Sequence, residues 1–125
     1  MSDLLSTGLA HHQAGRLAEA ERCYRQLLSV QPEHADALHL LGLLAFGARQ
    51  FDAAIGLISR AIELSPGNAA YHYNLGIVLR DAGRLAESAA RYAEAIRLDP
   101  RHVDANVNLA VVLTELQRPE EAVTA

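Results

Sequence analysis

The most constraining feature of this sequence is a period of 34 residues. Proline recurs at that interval as Pro32, Pro66 and Pro100, and the hexapeptide AGRLAE occurs at residues 14–19 and again at 82–87, two periods later. A fixed period of this length is the signature of a repeat architecture, in which neighbouring units stack and share one continuous core. The repeats occupy residues 1–34, 35–68, 69–102 and, as a partial unit, 103–125.

Three positions within the repeat predict that each unit is a pair of helices. Small residues at positions 8 and 20 let two helix backbones approach closely, and a large residue at position 24 then fills the gap between units. A single helical hairpin cannot bury its apolar side alone, so the repeats must stack. These residues are Gly8, Gly42, Gly76 and Ala110; Ala20, Ala54, Ser88 and Ala122; and Tyr24, Ile58 and Tyr92.

Capping and turn residues predict where the helices begin and end. Asn68 is suited to cap the helix that follows it, and Gly15 to end the first helix in a left-handed conformation. The equivalent turn at residues 48–50 has no glycine, which predicts a weaker helix end there. Glu87 and Arg91 are spaced as an i,i+4 ion pair. The predicted helices cover residues 3–14, beginning at Ser2 or Asp3, then 17–30, 35–48, 51–64, 69–82, 85–98 and 103–116, with Pro119 in the first turn of an eighth.

This pattern resembles that of the tetratricopeptide repeat (TPR) family over the whole chain. Ala61 and Ala95 add the alanine that is usual at position 27, whereas His72 and Asn106 depart from the tryptophan that is often found at position 4. The resemblance implies an all-α fold, a right-handed α-α superhelix (a TPR solenoid) of helix-turn-helix repeats. It also implies a single domain over residues 1–125 whose function is to bind other proteins.

The composition excludes several classes of partner and location. The net charge is −4 and no basic stripe is present, which argues against nucleic-acid binding. The longest apolar stretch, residues 38–46, is too short to cross a bilayer, and the first residues carry no basic signal region. Cys23 is the only cysteine, so we expect a cytoplasmic protein. All 11 basic residues are arginine, and with abundant alanine this suggests a GC-rich bacterial genome.

Residues that could carry chemistry are scarce. The six histidines show no spacing typical of metal ligands, and adjacent His11 and His12 point in different directions on a helix. Cys23 occupies a packing position, and no phosphate-binding loop or nucleophile motif is present. We therefore expect no catalytic residue, no metal and no cofactor, and the chain is not predicted to be an enzyme.

A partner would bind on the inner face of the first helix of each repeat, here called helix A. In the TPR family, the face opposite the second helix (helix B) lines a concave groove. Two interpretations of these residues stay open, because neighbouring A helices could cover them by packing, or a peptide could bind there. The predicted partner-binding residues are His39, Leu43, Phe46, Tyr73, Asn74, Ile77, Arg80, Val107, Asn108 and Val111.

Two of these residues carry a further resemblance. Asn74 and Asn108 are one repeat apart, like the asparagine ladder of O-linked N-acetylglucosamine (O-GlcNAc) transferases, whose amides hold a peptide backbone. Chaperone-binding TPR domains instead hold a C-terminal carboxylate with Lys and Arg, and no cation stands at the matching positions here. Those positions are Leu5, Leu9, Leu40, Ala70 and Asn74. We therefore predict no carboxylate clamp.

Two functional hypotheses follow from the sequence. The first is a non-catalytic protein-interaction module that binds a peptide or partner protein and self-associates through its terminal repeat. The second is an N-terminal, substrate-recruiting TPR segment of a larger glycosyltransferase-type enzyme. The incomplete repeat at residues 103–125 favours a chain that continues in the natural protein over a terminal helix that packs against another molecule, and a homo-oligomer is compatible with either case.

Overall fold

The computed structural model describes residues 3–117, which form helices joined by short turns. The helices of that range are α1 (Asp3–Gln13), α2 (Leu17–Val30), α3 (Ala35–Gly47), α4 (Phe51–Leu64), α5 (Ala69–Asp81), α6 (Leu85–Leu98) and α7 (Val103–Gln117). The all-α prediction is confirmed, and α2, α4 and α6 begin and end at the predicted residues. Helices α1, α3 and α5 end one residue early, because Ala14, Ala48 and Ala82 serve as their caps. Ser2, Ala122 and the helix predicted from Pro119 lie outside the described residues.

The chain forms two compact units, unit 1 (Met1–Pro66) and unit 2 (Gly67–Ala125). In unit 1, α1 packs against α2, α2 against α3, and α3 against α4. In unit 2, α5 packs against α6, and α6 against α7. In the three complete repeats, helix A (α1, α3 or α5) and helix B (α2, α4 or α6) therefore form a hairpin, as the sequence predicts. Helix α7 is helix A of the partial repeat. That residues 1–125 form a single domain stays a prediction.

The small residue at position 8 brings the two helices of a hairpin close together. A Cβ atom on Gly8 would lie 2.6 Å from Cε1 of Tyr24, and a Cβ atom on Gly76 would lie 2.6 Å from Cε1 of Tyr92. Both rings are buried, and Tyr24 also packs against Leu41 of the next repeat. The predicted roles of positions 8 and 24 are thus confirmed, since the large ring occupies the space that the missing side chain leaves.

The turn from helix A to helix B reverses through one residue with positive φ. Gly15 and Gly83 have φ angles of 83° and 82°, and Arg49 holds the same position at 61°. The backbone N–H of Arg16, the residue after Gly15, donates to the His11 carbonyl at 2.8 Å. The N–H groups of Gln50 and Arg84 likewise donate to the carbonyl five residues earlier. Arg49 therefore keeps the turn without glycine, although a left-handed conformation costs a non-glycine residue about 1–2 kcal/mol.

Side-chain partners on α6 differ from the predicted i,i+4 pair. Glu87 pairs with Arg84, whose Nε lies 2.8 Å from Oε1 and Nη2 2.9 Å from Oε2. Arg91 instead donates from Nη1 to Nδ1 of His72, at 3.1 Å. The predicted Glu87–Arg91 pair is wrong, because Arg84 lies one turn before Glu87 and the buried ring of His72 on α5 offers Arg91 an acceptor.

Candidate functional site

Helices α5 and α7 of unit 2 bring two of the predicted binding residues into contact. Asn108 on α7 donates from Nδ2 to the hydroxyl oxygen of Tyr73 on α5, at 3.4 Å. The ring of Tyr73 also lies against the His102 ring, with 4.5 Å between centroids, and 5.9 Å from the ring of Tyr92. The side chain of Tyr73 is therefore held from three directions, and its hydroxyl and the Asn108 amide lie side by side.

The tyrosine hydroxyls of this cluster are neutral at physiological pH. Burial raises the pKa of Tyr73, and the nearby Asp104 carboxylate raises it further, against the opposing hydrogen bond from Asn108. Burial also raises the pKa of Tyr92, although hydrogen bonding with Ser88 and Asn108 lowers it. A neutral hydroxyl both donates and accepts, so the cluster can meet either a carbonyl or an N–H group of a bound molecule.

An ion pair also joins α5 to α7, nearer the C-terminal ends of both helices than the Tyr73–Asn108 contact. Arg80 donates from Nε to Oε1 of Glu115 at 3.1 Å and from Nη2 to Oε2 at 3.2 Å, and each side chain is 40% exposed. The hydrogen bonds to Glu115 raise the pKa of Arg80. Such exposed pairs contribute about 0–1 kcal/mol to stability, so the main effect is to neutralise the arginine charge. Glu115 is a residue that our sequence reasoning missed; its only signal was its position one repeat and one residue after Arg80.

The other predicted residues of unit 2 supply apolar and amide surface. Asn74 and Ile77 are partly buried on α5. On α7, Val107 and Val111 are 55% and 39% exposed, so their methyl groups are accessible. Unit 2 therefore places polar groups and accessible apolar side chains of the predicted set on two A helices, α5 and α7.

The predicted residues of unit 1 lie on α3. His39 is only 8% exposed, so its ring contributes little surface, and burial lowers its pKa although the Asp36 carboxylate acts to raise it. Leu43 and Phe46 are partly buried. The Phe46 ring lies 6.0 Å from the ring of Phe51 at the start of α4.

Two histidines that stand at equivalent positions serve as helix caps. Nδ1 of His34 accepts a hydrogen bond from the Ala37 N–H, and Nδ1 of His102 accepts one from the Ala105 N–H, both at 3.1 Å. Within residues 3–117, no group of three or more His, Cys, Asp or Glu side chains could hold a metal ion. None of the described helices combines the length and apolar character needed to cross a membrane.

The fold and this surface define an all-α repeat protein built from helical hairpins, with mixed polar and apolar side chains on its A helices. The chain belongs to the tetratricopeptide repeat family, whose model matches residues 5–69 and 73–125. The TPR fold indicates a role in protein–protein interaction, and TPR proteins are generally non-catalytic scaffolds.

Solved structures share the fold over most of this chain. A mutant O-GlcNAc transferase from Thermobaculum terrenum is 36% identical with a TM-score of 0.85, over 90% of this chain and 22% of that one. MamA is 25% identical with a TM-score of 0.87, over 97% of this chain and 71% of its own. The first TPR of Spaghetti (RPAP3), bound to an HSP90 peptide, is 19% identical with a TM-score of 0.88, over 91% of this chain and 90% of that one.

Curated relatives match a shorter part of the sequence. Hsc70-interacting protein 1 of Drosophila melanogaster is 48% identical over 44 residues, which is 35% of this chain and 12% of the relative. The chain thus spans a small fraction of the length of the curated relatives that it matches.

Proposed function

We propose that the protein is a non-catalytic interaction module that binds a peptide or partner protein along the inner positions of its A helices. The observation that carries this proposal is the Asn108–Tyr73 contact, which holds an amide and a hydroxyl side by side on two successive A helices. The proposed binding residues are His39, Leu43 and Phe46 of unit 1, and Tyr73, Asn74, Ile77, Arg80, Val107, Asn108 and Val111 of unit 2. A TPR structure with a peptide bound supports a peptide as the partner.

The chemistry of the surface favours an extended, uncharged peptide. Asparagine amides both donate and accept, so Asn74 and Asn108 could hold a peptide backbone with little dependence on its side chains. Glu115 neutralises Arg80, which leaves no cation in the proposed set to grip a carboxylate. The absence of a carboxylate clamp therefore remains our prediction. The cytoplasmic location, the bacterial origin and the exclusion of nucleic-acid and membrane partners also remain predictions.

A peptide-binding measurement with matched asparagine variants tests the surface. A peptide selected on this chain from a random phage-displayed library would be labelled, and its affinity measured by fluorescence polarisation. We expect Asn74→Ala with Asn108→Ala to weaken binding about tenfold, equal to about 1.4 kcal/mol. Asn106→Ala is the control, because that exposed amide bonds locally to the His102 carbonyl at 2.9 Å. Equal affinity for the double variant and the control would show that the peptide binds elsewhere.

A second candidate is a substrate-recruiting segment of a larger glycosyltransferase-type enzyme. The 36% identity to an O-GlcNAc transferase over 90% of this chain favours it. The mass of the native polypeptide in its source cells, detected with an antibody to this segment, separates the two candidates. A band far above 13.5 kDa, in a polypeptide with an additional α/β domain, would support the enzyme segment. A band near that mass would support the stand-alone module.

A further inference from the structure

A second groove lies in unit 1, away from the inner positions of the A helices. Helices α2 and α4 both pack against α3, and α3 forms the floor between them. Two cavities follow this floor, one of about 300 Å³ and one of about 180 Å³, and Arg25, Leu41 and Leu57 line both of them. The groove extends along α3 from Leu38 to Ala48, about 15 Å at the rise of an α-helix.

The larger cavity combines an apolar floor with a cationic rim. Leu38 and Leu41 of α3 form the buried floor of this cavity, and Leu28 lines its α2 side. Arg25 and Arg60 are its charged lining residues, and no carboxylate lines it. Glu21, the partner of Arg25, lines the smaller cavity. A bulky aliphatic side chain fits the floor of the larger cavity, and the Arg60 guanidinium would attract negative charge beside it.

The two arginines differ in how firmly they are held. Arg25 pairs with Glu21 at 2.8 Å, as its i,i+4 spacing predicts, with side chains 63% and 48% exposed. Arg60 donates from Nη2 to the Pro32 carbonyl at 3.4 Å. Within the part of the chain that the structure describes, Arg60 forms no ion pair. Its guanidinium group therefore has no carboxylate at ion-pair distance among the described residues.

We propose that this α2–α4 groove is a docking site for a short acidic peptide, in which a leucine-like side chain enters the larger cavity and a neighbouring carboxylate meets Arg60. An extended peptide advances about 3.3 Å per residue, so four or five residues fill the groove. This proposal does not depend on the proposed function, because the groove is lined by other residues and favours an acidic peptide, whereas the proposed function favours an uncharged one.

Leucine-methyl NMR with defined peptides tests the groove. The probes are an acetylated octapeptide of alternating leucine and aspartate, the same peptide with lysine for aspartate, and the same peptide with alanine for leucine. We expect the first to bind saturably and to shift the methyl signals of Leu28, Leu41 and Leu57, and the other two to shift none of them. Shifts with all three peptides, or with none, would overturn the proposal.

Arginine variants decide whether the rim recognises the carboxylate. Arg60→Gln should weaken the leucine–aspartate peptide about fivefold, as expected for loss of one charge contact. Arg22→Gln is the matched control, because this exposed arginine of α2 does not line either cavity. Equal weakening by both would mean general electrostatic attraction and would contradict a built site. Methyl shifts that follow protein concentration without peptide would assign the groove to a second copy of the chain, and would also overturn it.

Discussion

The last residue of each repeat caps the helix that follows it. His34 and His102 accept the cap hydrogen bond at Nδ1, and Asn68 accepts two at Oδ1, from Ala70 at 3.0 Å and from Tyr71 at 3.3 Å. Histidine and asparagine are thus interchangeable solutions to the same need, an acceptor for the unpaired N–H groups of a helix start. The sequence showed the equivalence of these positions, but only the structure shows that the two histidine rings accept from the backbone.

Substitution of His34 tests the capping role. We expect His34→Ala to lower the free energy of unfolding by about 1 kcal/mol, because the Ala37 N–H loses its acceptor. His34→Asn should retain wild-type stability, since Asn68 caps α5 in the equivalent position. Urea denaturation monitored by circular dichroism measures both. If asparagine destabilises as much as alanine does, then packing of the ring, and not the cap, is what matters.

The buried ring of His39 predicts that the stability of the fold depends on pH. Burial lowers its pKa in the folded state below the usual value of 6.5. Below about pH 6.5 the unfolded chain therefore binds a proton that the folded chain does not, so this residue destabilises the fold as the pH falls from that value toward its folded pKa. Above that range it has no such effect.

The variant His39→Leu isolates this contribution, because leucine occupies the equivalent position 5 in the first repeat. Urea midpoints measured at pH 7 and pH 5 should fall less for the variant than for the wild type. The same fall in both proteins would show that other groups account for the acid sensitivity.

At the scale of the helix pair, two glycines of repeat 2 differ in their surroundings. A Cβ atom on Gly42 of α3 would lie 2.7 Å from Cγ1 of the fully buried Ile58, whereas a Cβ atom on Gly56 of α4 would meet nothing within 4 Å. Gly42 is needed for the approach of α3 and α4. Gly56 destabilises α4 because glycine has a low helix propensity, and no close packing contact compensates for this.

The same substitution should therefore have opposite effects in these two helices. We expect Gly56→Ala to stabilise the protein by about 1 kcal/mol, and Gly42→Ala to destabilise it by about 1–3 kcal/mol through overpacking. Thermal and urea denaturation of the two variants provide the comparison, each serving as the control for the other. Stabilisation by both would mean that the hairpin can open without loss.

The helices could be predicted from the sequence because their ends depend on local chemistry. Asn68 and Gly15 act on the nearest backbone groups, and Gly8 and Tyr24 recur at a spacing that fixes their pairing. Side-chain partners could not be predicted in the same way. Arg91 had equally plausible partners on its own helix and on α5, and its choice of His72 depends on how the two helices pack.

The candidate site was predictable as a set of positions but not as a set of contacts. The period placed Tyr73, Asn108 and Arg80 on inner positions of the A helices. The hydrogen bond between Tyr73 and Asn108, and the pairing of Arg80 with Glu115, both cross from one repeat to the next. Such contacts depend on the rotation between helices, which the hydrophobic pattern alone does not specify.

For the whole molecule, the accessible side chains of α7 bear on self-association. Leu113 and Leu116, which are one turn apart, are 42% and 37% exposed, and Val103 in the first turn is 70% exposed. Clusters of accessible aliphatic residues are typical of interaction surfaces, and a second copy of the chain is one available partner. The homo-oligomer proposed from the sequence would bury these leucines.

Sedimentation equilibrium tests this last prediction. We expect the average mass of the wild-type protein to rise with concentration above the 13.5 kDa of one chain. Leu113→Glu should remove this dependence, because a charge would be buried in the interface. Thr114→Glu adds the same charge at the next, exposed residue and should leave the association intact. A wild-type protein that stays monomeric at every concentration, or equal loss with both variants, would show that the side of α7 bearing Leu113 does not mediate association between copies.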